Sequence, residues 1–139
     1  MHLLRGRLRL CAAFIALLGG CDGRSETEAG PTVVAADGAR LAAARPQLDF
    51  AAKAAAAIVA GSRPCESPIR GYPGCEHDRG QVMLLAAGDH GAAGSRVDAL
   101  LWVPAGRRPQ LSMTLWHVDS LGTALGHGWY HVMAVSHVD

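Results

Sequence analysis

The stretch Arg96-Val-Asp-Ala-Leu-Leu-Trp-Val103 decides the fold class, because its residues alternate between two faces at the spacing of a β-strand. One face carries only apolar side chains, whereas the other face begins with two charged residues and is expected to be the wetter one. The apolar face consists of Val97, Ala99, Leu101 and Val103, and the wetter face of Arg96, Asp98, Leu100 and Trp102. The alternation predicts a strand, which the prolines and glycine of residues 104–109 then end.

Three further segments have the composition of strands, and turn-forming residues separate them. They are Gln81–Ala87, Gln110–Asp119 and Trp129–Val138. Connections of roughly 5–9 residues suit hairpins and are too short for the crossovers that parallel strands need. The sequence therefore predicts a four-stranded antiparallel meander, in which strands adjacent in the chain are also adjacent in the sheet.

A helical segment precedes the strands, at residues 37–60. Pro46 interrupts it, and the sequence leaves open whether it forms one kinked helix or two. The apolar positions after the proline follow helical spacing and form one stripe of Leu48, Ala51, Ala52, Ala55, Ile58 and Val59. Packing that stripe on the meander gives an α+β domain of two layers.

The N-terminus has the pattern of a targeting segment. Three arginines (Arg5, Arg7 and Arg9) and no acidic residue precede the apolar run Leu10–Leu18. A helix needs about 20 apolar residues to span a bilayer, and this run is about half that length. The pattern predicts a signal peptide that is removed from the mature protein.

The next residues, Leu18-Gly19-Gly20-Cys21, resemble the lipobox of bacterial lipoproteins. The resemblance implies that residues 1–20 are the signal peptide and that Cys21 carries the lipid. Residues 21–36 would then be the lipidated cysteine and a flexible tether, and residues 37–139 the folded domain. It further implies a protein of the bacterial cell envelope that faces the periplasm and contacts the membrane through its anchor. Asp22 leaves the choice between inner and outer membrane undecided.

Charge and cysteine content narrow the possible functions. The whole chain has 13 basic and 12 acidic residues; removal of the three leader arginines leaves 10 against 12, a formal charge of −2. No basic run stands out, so nucleic acid is not an expected partner. Cys65 and Cys75 form an isolated pair in a chain destined for an oxidising compartment, which predicts a disulfide. The alternative is a metal site that uses both thiols with His77.

Four histidines near the C-terminus are the candidate metal ligands: His117, His127, His131 and His137. A turn centred near residue 124 would place His117 directly across from His131 and Asp119 opposite Trp129. The two imidazoles together with a carboxylate could hold zinc or copper. A slip of one residue in that register would put the two imidazoles on opposite faces of the sheet. The alternative is that these histidines lie on a half-exposed sheet face and bind only water.

Aromatic side chains on the last three predicted strands are the other candidate site. Trp102, Trp116, Trp129 and Tyr130 form either a recognition surface or the core beneath the helix.

No catalytic motif was found: the sequence lacks G-x-S-x-G, H-E-x-x-H and a phosphate-binding loop, so an enzyme is the least favoured class. The favoured hypothesis is a lipid-anchored binding module for an envelope partner, an enzyme or a toxin, with no cofactor beyond the lipid. The alternative is a periplasmic metal-binding lipoprotein that uses the histidines.

Overall fold

Antiparallel pairing of five strands forms the framework of the domain. The computed structural model describes residues 29–88 and 94–137, with side chains from Asp37 onward. The predicted signal peptide and Cys21 lie outside the described residues. The chain divides into two compact units, with the boundary between Ala39 and Arg40. The sheet and the candidate sites described below belong to the second unit, Arg40–Asp139.

Among the described residues, two helices precede the sheet and are joined by a 3₁₀ turn. Helix α1 spans Ala29–Ala44, the turn spans Arg45–Gln47, and helix α2 spans Leu48–Val59. Pro46 lies in the turn, so the proline separates two helices and does not kink one. Helix α1 begins at Ala29 and not at Asp37, so residues 29–36, predicted to belong to the tether, are helical. No helix among the described residues is long and apolar enough to span a membrane.

The sheet contains one strand more than the sequence indicated. The strands are β1 (Gly74–Asp78), β2 (Gln81–Leu85), β3 (Arg96–Trp102), β4 (Trp116–Gly126) and β5 (Trp129–Ser136). Their order in the sheet is β1-β2-β3-β5-β4, and every pair is antiparallel. The mixed α+β class is confirmed. The four-stranded meander is wrong, because β5 lies between β3 and β4.

Strand β1 was missed because its sequence, Gly-Cys-Glu-His-Asp, has no apolar alternation. It pairs with β2 through a two-residue turn in which Arg79 and Gly80 have φ angles of 52° and 74°. Positive φ at both central residues is the signature of a type I′ hairpin turn, whose twist matches that of paired strands. The geometry of this turn therefore sets the register between β1 and β2, because the side-chain pattern of β1 does not define one.

Strand β4 was predicted too early in the chain. Only Trp116–Asp119 of the predicted segment belongs to it, and the strand continues through glycine and threonine to Gly126. The turn before β5 consists of His127 and Gly128, with φ angles of 55° and 87°. Because the turn lies at residues 127–128 and not near residue 124, the residues of β4 pair with other residues of β5 than predicted. Irregularities within β4 shift this register further.

The apolar face of α2 packs against one face of the sheet, as the stripe predicted. Leu48, Ala51, Ala55 and Ile58 are buried in the same core as the central strands. The indole Nε1 of Trp129 donates a hydrogen bond of 3.0 Å to the carbonyl oxygen of Leu48, which fixes the start of α2 on β5. A buried indole needs such an acceptor, so the bond also satisfies the tryptophan.

The connection between β3 and β4 runs back past β1 and β2 and covers further apolar side chains. Met113, Trp116 and Val118 are buried in this region. The Asp78 carboxylate accepts bonds of 2.7 and 2.9 Å from the backbone and hydroxyl of Thr114, and these bonds lower the pKa of Asp78. Thr114 lies two residues before β4, so these bonds attach the connection that leads into β4 to the end of edge strand β1.

The predicted disulfide between Cys65 and Cys75 is present, with Cα atoms 5.6 Å apart. It attaches the loop after α2 to the edge strand β1. That loop has no regular secondary structure, so the covalent link adds to the few hydrogen bonds that hold it in place.

We expect replacement of both cysteines, Cys65→Ser with Cys75→Ser, to lower the free energy of unfolding by about 2–3 kcal/mol, because the open chain gains loop entropy on unfolding. Urea unfolding measures this change. The reduced native protein is the control and should unfold with the same midpoint as the double variant. A loss below about 0.5 kcal/mol would contradict a stabilising role.

Candidate functional site

A groove of about 430 Å³ runs between α2 and the end of β3, and we call it the α2 groove. Helix α2 supplies one wall with Ala52 and Ala56, whose small side chains leave space above the sheet. The opposite wall is the loop that follows β3, with Val103 and Ala105. Its volume falls in the range of small-ligand sites, about 300–1,000 Å³.

The floor of the α2 groove is Trp102, and its polar groups are already paired. The indole Nε1 donates a 3.1 Å hydrogen bond to the carbonyl oxygen of His127. The next backbone N–H, of Val103, donates a 2.9 Å bond to the carbonyl oxygen of Gly128. Glycine is required here, because a Cβ at position 128 would lie 2.7 Å from the Val103 oxygen. The floor therefore presents apolar surface to whatever enters.

Charged groups lie only on the rim of the groove. His127 Nδ1 is 3.6 Å from Asp49 Oδ1, so this pair joins the β4–β5 turn to α2. Lys53, one turn further along α2, also lines the groove and is exposed. It is the single lysine in the sequence, and it forms no ion pair with any described residue. The rim thus carries an acid that contacts an imidazole and a lysine that lies within 4 Å of no acidic group among the described residues.

A buried carboxylate organises the same sheet face further along β3. The Asp98 side chain is 3% exposed, and its Oδ2 accepts bonds of 3.0 Å from Arg40 Nη1 and from the Tyr72 hydroxyl. Its Oδ1 makes a short contact with His131 Nε2. We call these four residues the Asp98 network. It connects α1, the bridged loop, β3 and β5 at one point.

The network determines the charge state of Asp98. Burial alone would raise the pKa of this carboxyl, but bonds from His131, Arg40 and Tyr72 and the charge of His131 together lower it below its usual value. Asp98 is therefore ionised at neutral pH and paired with the Arg40 guanidinium. A buried ion that keeps several partners is a structural tie that is costly to break.

Strands β4 and β5 do not pair in the register that the predicted histidine site requires. His117 lies opposite Val135, and His131 lies opposite Leu100, so the expected cross-strand pair is wrong. His127 lies in the turn beside Asp49.

Only His117 and His137 come together, with ring centroids 4.9 Å apart. Two imidazoles are half of a tetrahedral ligand set. No group of three or more His, Cys, Asp or Glu side chains suited to a metal occurs among residues 37–88 and 94–137.

The three tryptophans of the predicted aromatic surface are buried in the core. Trp129 and Trp116 are 1% and 4% exposed, and Trp102 is 9% exposed at the floor of the groove. Tyr130 is half-buried at the margin of the core. Trp116 also hydrogen-bonds to Glu76 of β1, where burial raises the pKa of the carboxyl more than this bond lowers it. Of the four aromatic residues, only Trp102 lines the groove.

Comparison with protein-family models, with curated sequences and with solved structures found no match to this chain. The functional argument therefore rests on its own residues.

Sequence reasoning missed the Asp98 network and the α2 groove. Asp98 did carry a signal, because it is a lone acid between apolar residues of a strand, and a buried acid needs partners. Its partners Arg40 and Tyr72 come from distant segments that no pattern connects.

We expect Asp98→Asn to lower the free energy of unfolding at pH 7 by about 3 kcal/mol, because it leaves a partly buried arginine without its carboxylate. The folded-state pKa of Asp98 lies below its unfolded value of about 3.9, so this stabilisation is present above that value. It is lost as the pH falls through the folded-state pKa. Urea unfolding between neutral and acid pH should show the gap between native protein and variant closing in acid.

The control is Asp119→Asn, which removes an exposed ion pair of 3.2 Å with Arg96. An exposed pair contributes about 0–1 kcal/mol, so this variant should stay close to the native protein. A gap for Asp98→Asn that remained constant in acid would rule out the ionised network.

Proposed function

We propose that the chain is a lipid-anchored binding protein of the bacterial cell envelope, and that the α2 groove is its binding site. The observation that carries this proposal is the combination of apolar walls, a tryptophan floor and a charged rim in one open groove. Such concave sites, mostly apolar with a few placed polar groups, are where proteins bind ligands. The groove replaces the broader aromatic surface as the location of binding.

The cell-envelope part of the proposal rests on the lipobox and is supported by the Cys65–Cys75 disulfide. Disulfides persist in exported proteins and are rare in the reducing cytosol. A diacylated cysteine holds a protein to a membrane far more firmly than one acyl chain does. A lipid on Cys21 would keep the domain at the membrane surface and raise its local concentration for partners there.

The Asp98 network supports a binding role for the groove, since it is a fixed structural tie on the same sheet face. Strand β3 carries both Asp98 and Trp102, so the network immobilises the strand that provides the groove floor. A rigid wall loses little conformational entropy when a ligand binds. Pre-organisation of this kind is what a binding module needs.

We expect Cys21→Ala to abolish incorporation of an alkyne-bearing palmitate and to release the protein from the membrane fraction, because the thiol that carries the lipid is gone. Cys11→Ala is the matched control, since Cys11 lies in the predicted leader and should leave labelling unchanged. Gel fluorescence after click labelling measures both variants. Equal labelling of native protein and Cys21→Ala would disprove the anchor.

We expect a photoreactive benzoylphenylalanine at Ala105, on the wall of the groove, to form an adduct in the native cell envelope. The control is the same residue at Arg108, which is exposed and outside the groove. Ala56→Leu, which places a larger side chain in the groove, should remove the Ala105 adduct. Mass spectrometry identifies the captured molecule, and equal adducts from both positions would count against the groove.

A further inference from the structure

We infer that the α2 groove binds an amphipathic carboxylate, with its hydrocarbon chain along Trp102 and its head group on Lys53. This inference rests on the proposed function and names the chemistry of its ligand. Three features of the groove lead to it: the composition of its walls, the position of the uncompensated cation and the volume.

The walls select a hydrocarbon over a polypeptide. Every N–H and C=O of a bound peptide needs a partner, and leaving one unpaired costs free energy. The Trp102 indole and the Val103 amide are already bonded to the β4–β5 turn. Ala52 and Ala56 on the facing wall have no polar side-chain atoms. A hydrocarbon chain needs no hydrogen bonds and gains by leaving water.

The rim selects a negative head group. Asp49 already has a partner in His127, whose Nδ1 is 3.6 Å from its carboxylate, whereas Lys53 has no counter-ion within 4 Å among the described residues. Lys53 is one helical turn from Asp49, so both lie along the same rim. An anionic head at Lys53 would gain a charge-assisted hydrogen bond, and a cationic head would meet an uncompensated ammonium. The ligand is therefore an anion with an apolar chain.

The volume limits the length of the chain. At about 30 Å³ for each water-sized group, the groove of about 430 Å³ holds on the order of 14 non-hydrogen atoms. A medium-chain fatty acid such as dodecanoate has this size. The groove is too small for a complete phospholipid, so a free carboxylate fits better than a bilayer lipid.

The test uses the full-length protein in phosphatidylcholine nanodiscs and dodecanoate that carries a diazirine on its chain. Matched probes are dodecanol and dodecyltrimethylammonium with the same diazirine, which keep the chain and change the head. After irradiation, mass spectrometry locates and quantifies the label. We expect the acid to label residues of the groove, the alcohol to label them more weakly, and the cation least.

Two variants distinguish the contribution of the head group to binding from that of the hydrocarbon chain. Lys53→Met should reduce labelling by the acid roughly fivefold and leave labelling by the alcohol unchanged, as expected for an ion pair at a partly exposed rim. Ala56→Leu should reduce labelling by the acid and the alcohol alike. Arg45→Met and Ala42→Leu make the same side-chain changes at exposed positions outside the groove and should label as the native protein does.

The possible outcomes separate the inference from the proposed function. Equal labelling by all three probes, or label outside the groove, would overturn the carboxylate ligand. A protein adduct from position 105 without labelling by dodecanoate would keep the binding site and assign it to a polypeptide. Labelling by the acid that Lys53→Met and Ala56→Leu both weaken would establish the inference.

Discussion

Asp98 is a buried anion whose three partners come from three separate parts of the chain, and the arrangement of the domain depends on it. Arg40 lies in the first helix, Tyr72 in the bridged loop and His131 in the strand beside β3. A charge this deeply buried is tolerated only when several groups compensate it. The network therefore holds Arg40 and the loop in a defined position on the sheet, which apolar contacts alone specify less sharply.

The α2 groove follows from that arrangement. Small alanines on α2 and a glycine in the β4–β5 turn let the helix and the turn approach the end of β3 without filling the space between them. His127 adopts a left-handed conformation that residues other than glycine use rarely, and its ring lies near Asp49. The turn and the helix are thus joined at one edge of the groove, while Lys53 stays available at the rim.

The sequence predicted those features whose cause is local. Helical spacing located the buried stripe of α2, alternation located β3, and cysteine counting identified the disulfide. The order of strands is a non-local property: β5 pairs with β3 because both carry apolar residues on each face, whereas β4 is exposed along most of its length. The histidine register failed because it assumed a turn near residue 124, where the strand instead continues.

The position of β5 has a consequence for how the domain folds. This strand is the last of the five in the chain, yet it lies between two that precede it and completes the pairing of both. The five-stranded sheet cannot form until β5 is available. Contacts between segments distant in the chain make such a topology slow to fold. A chain with this topology stays unfolded until nearly all of it is present.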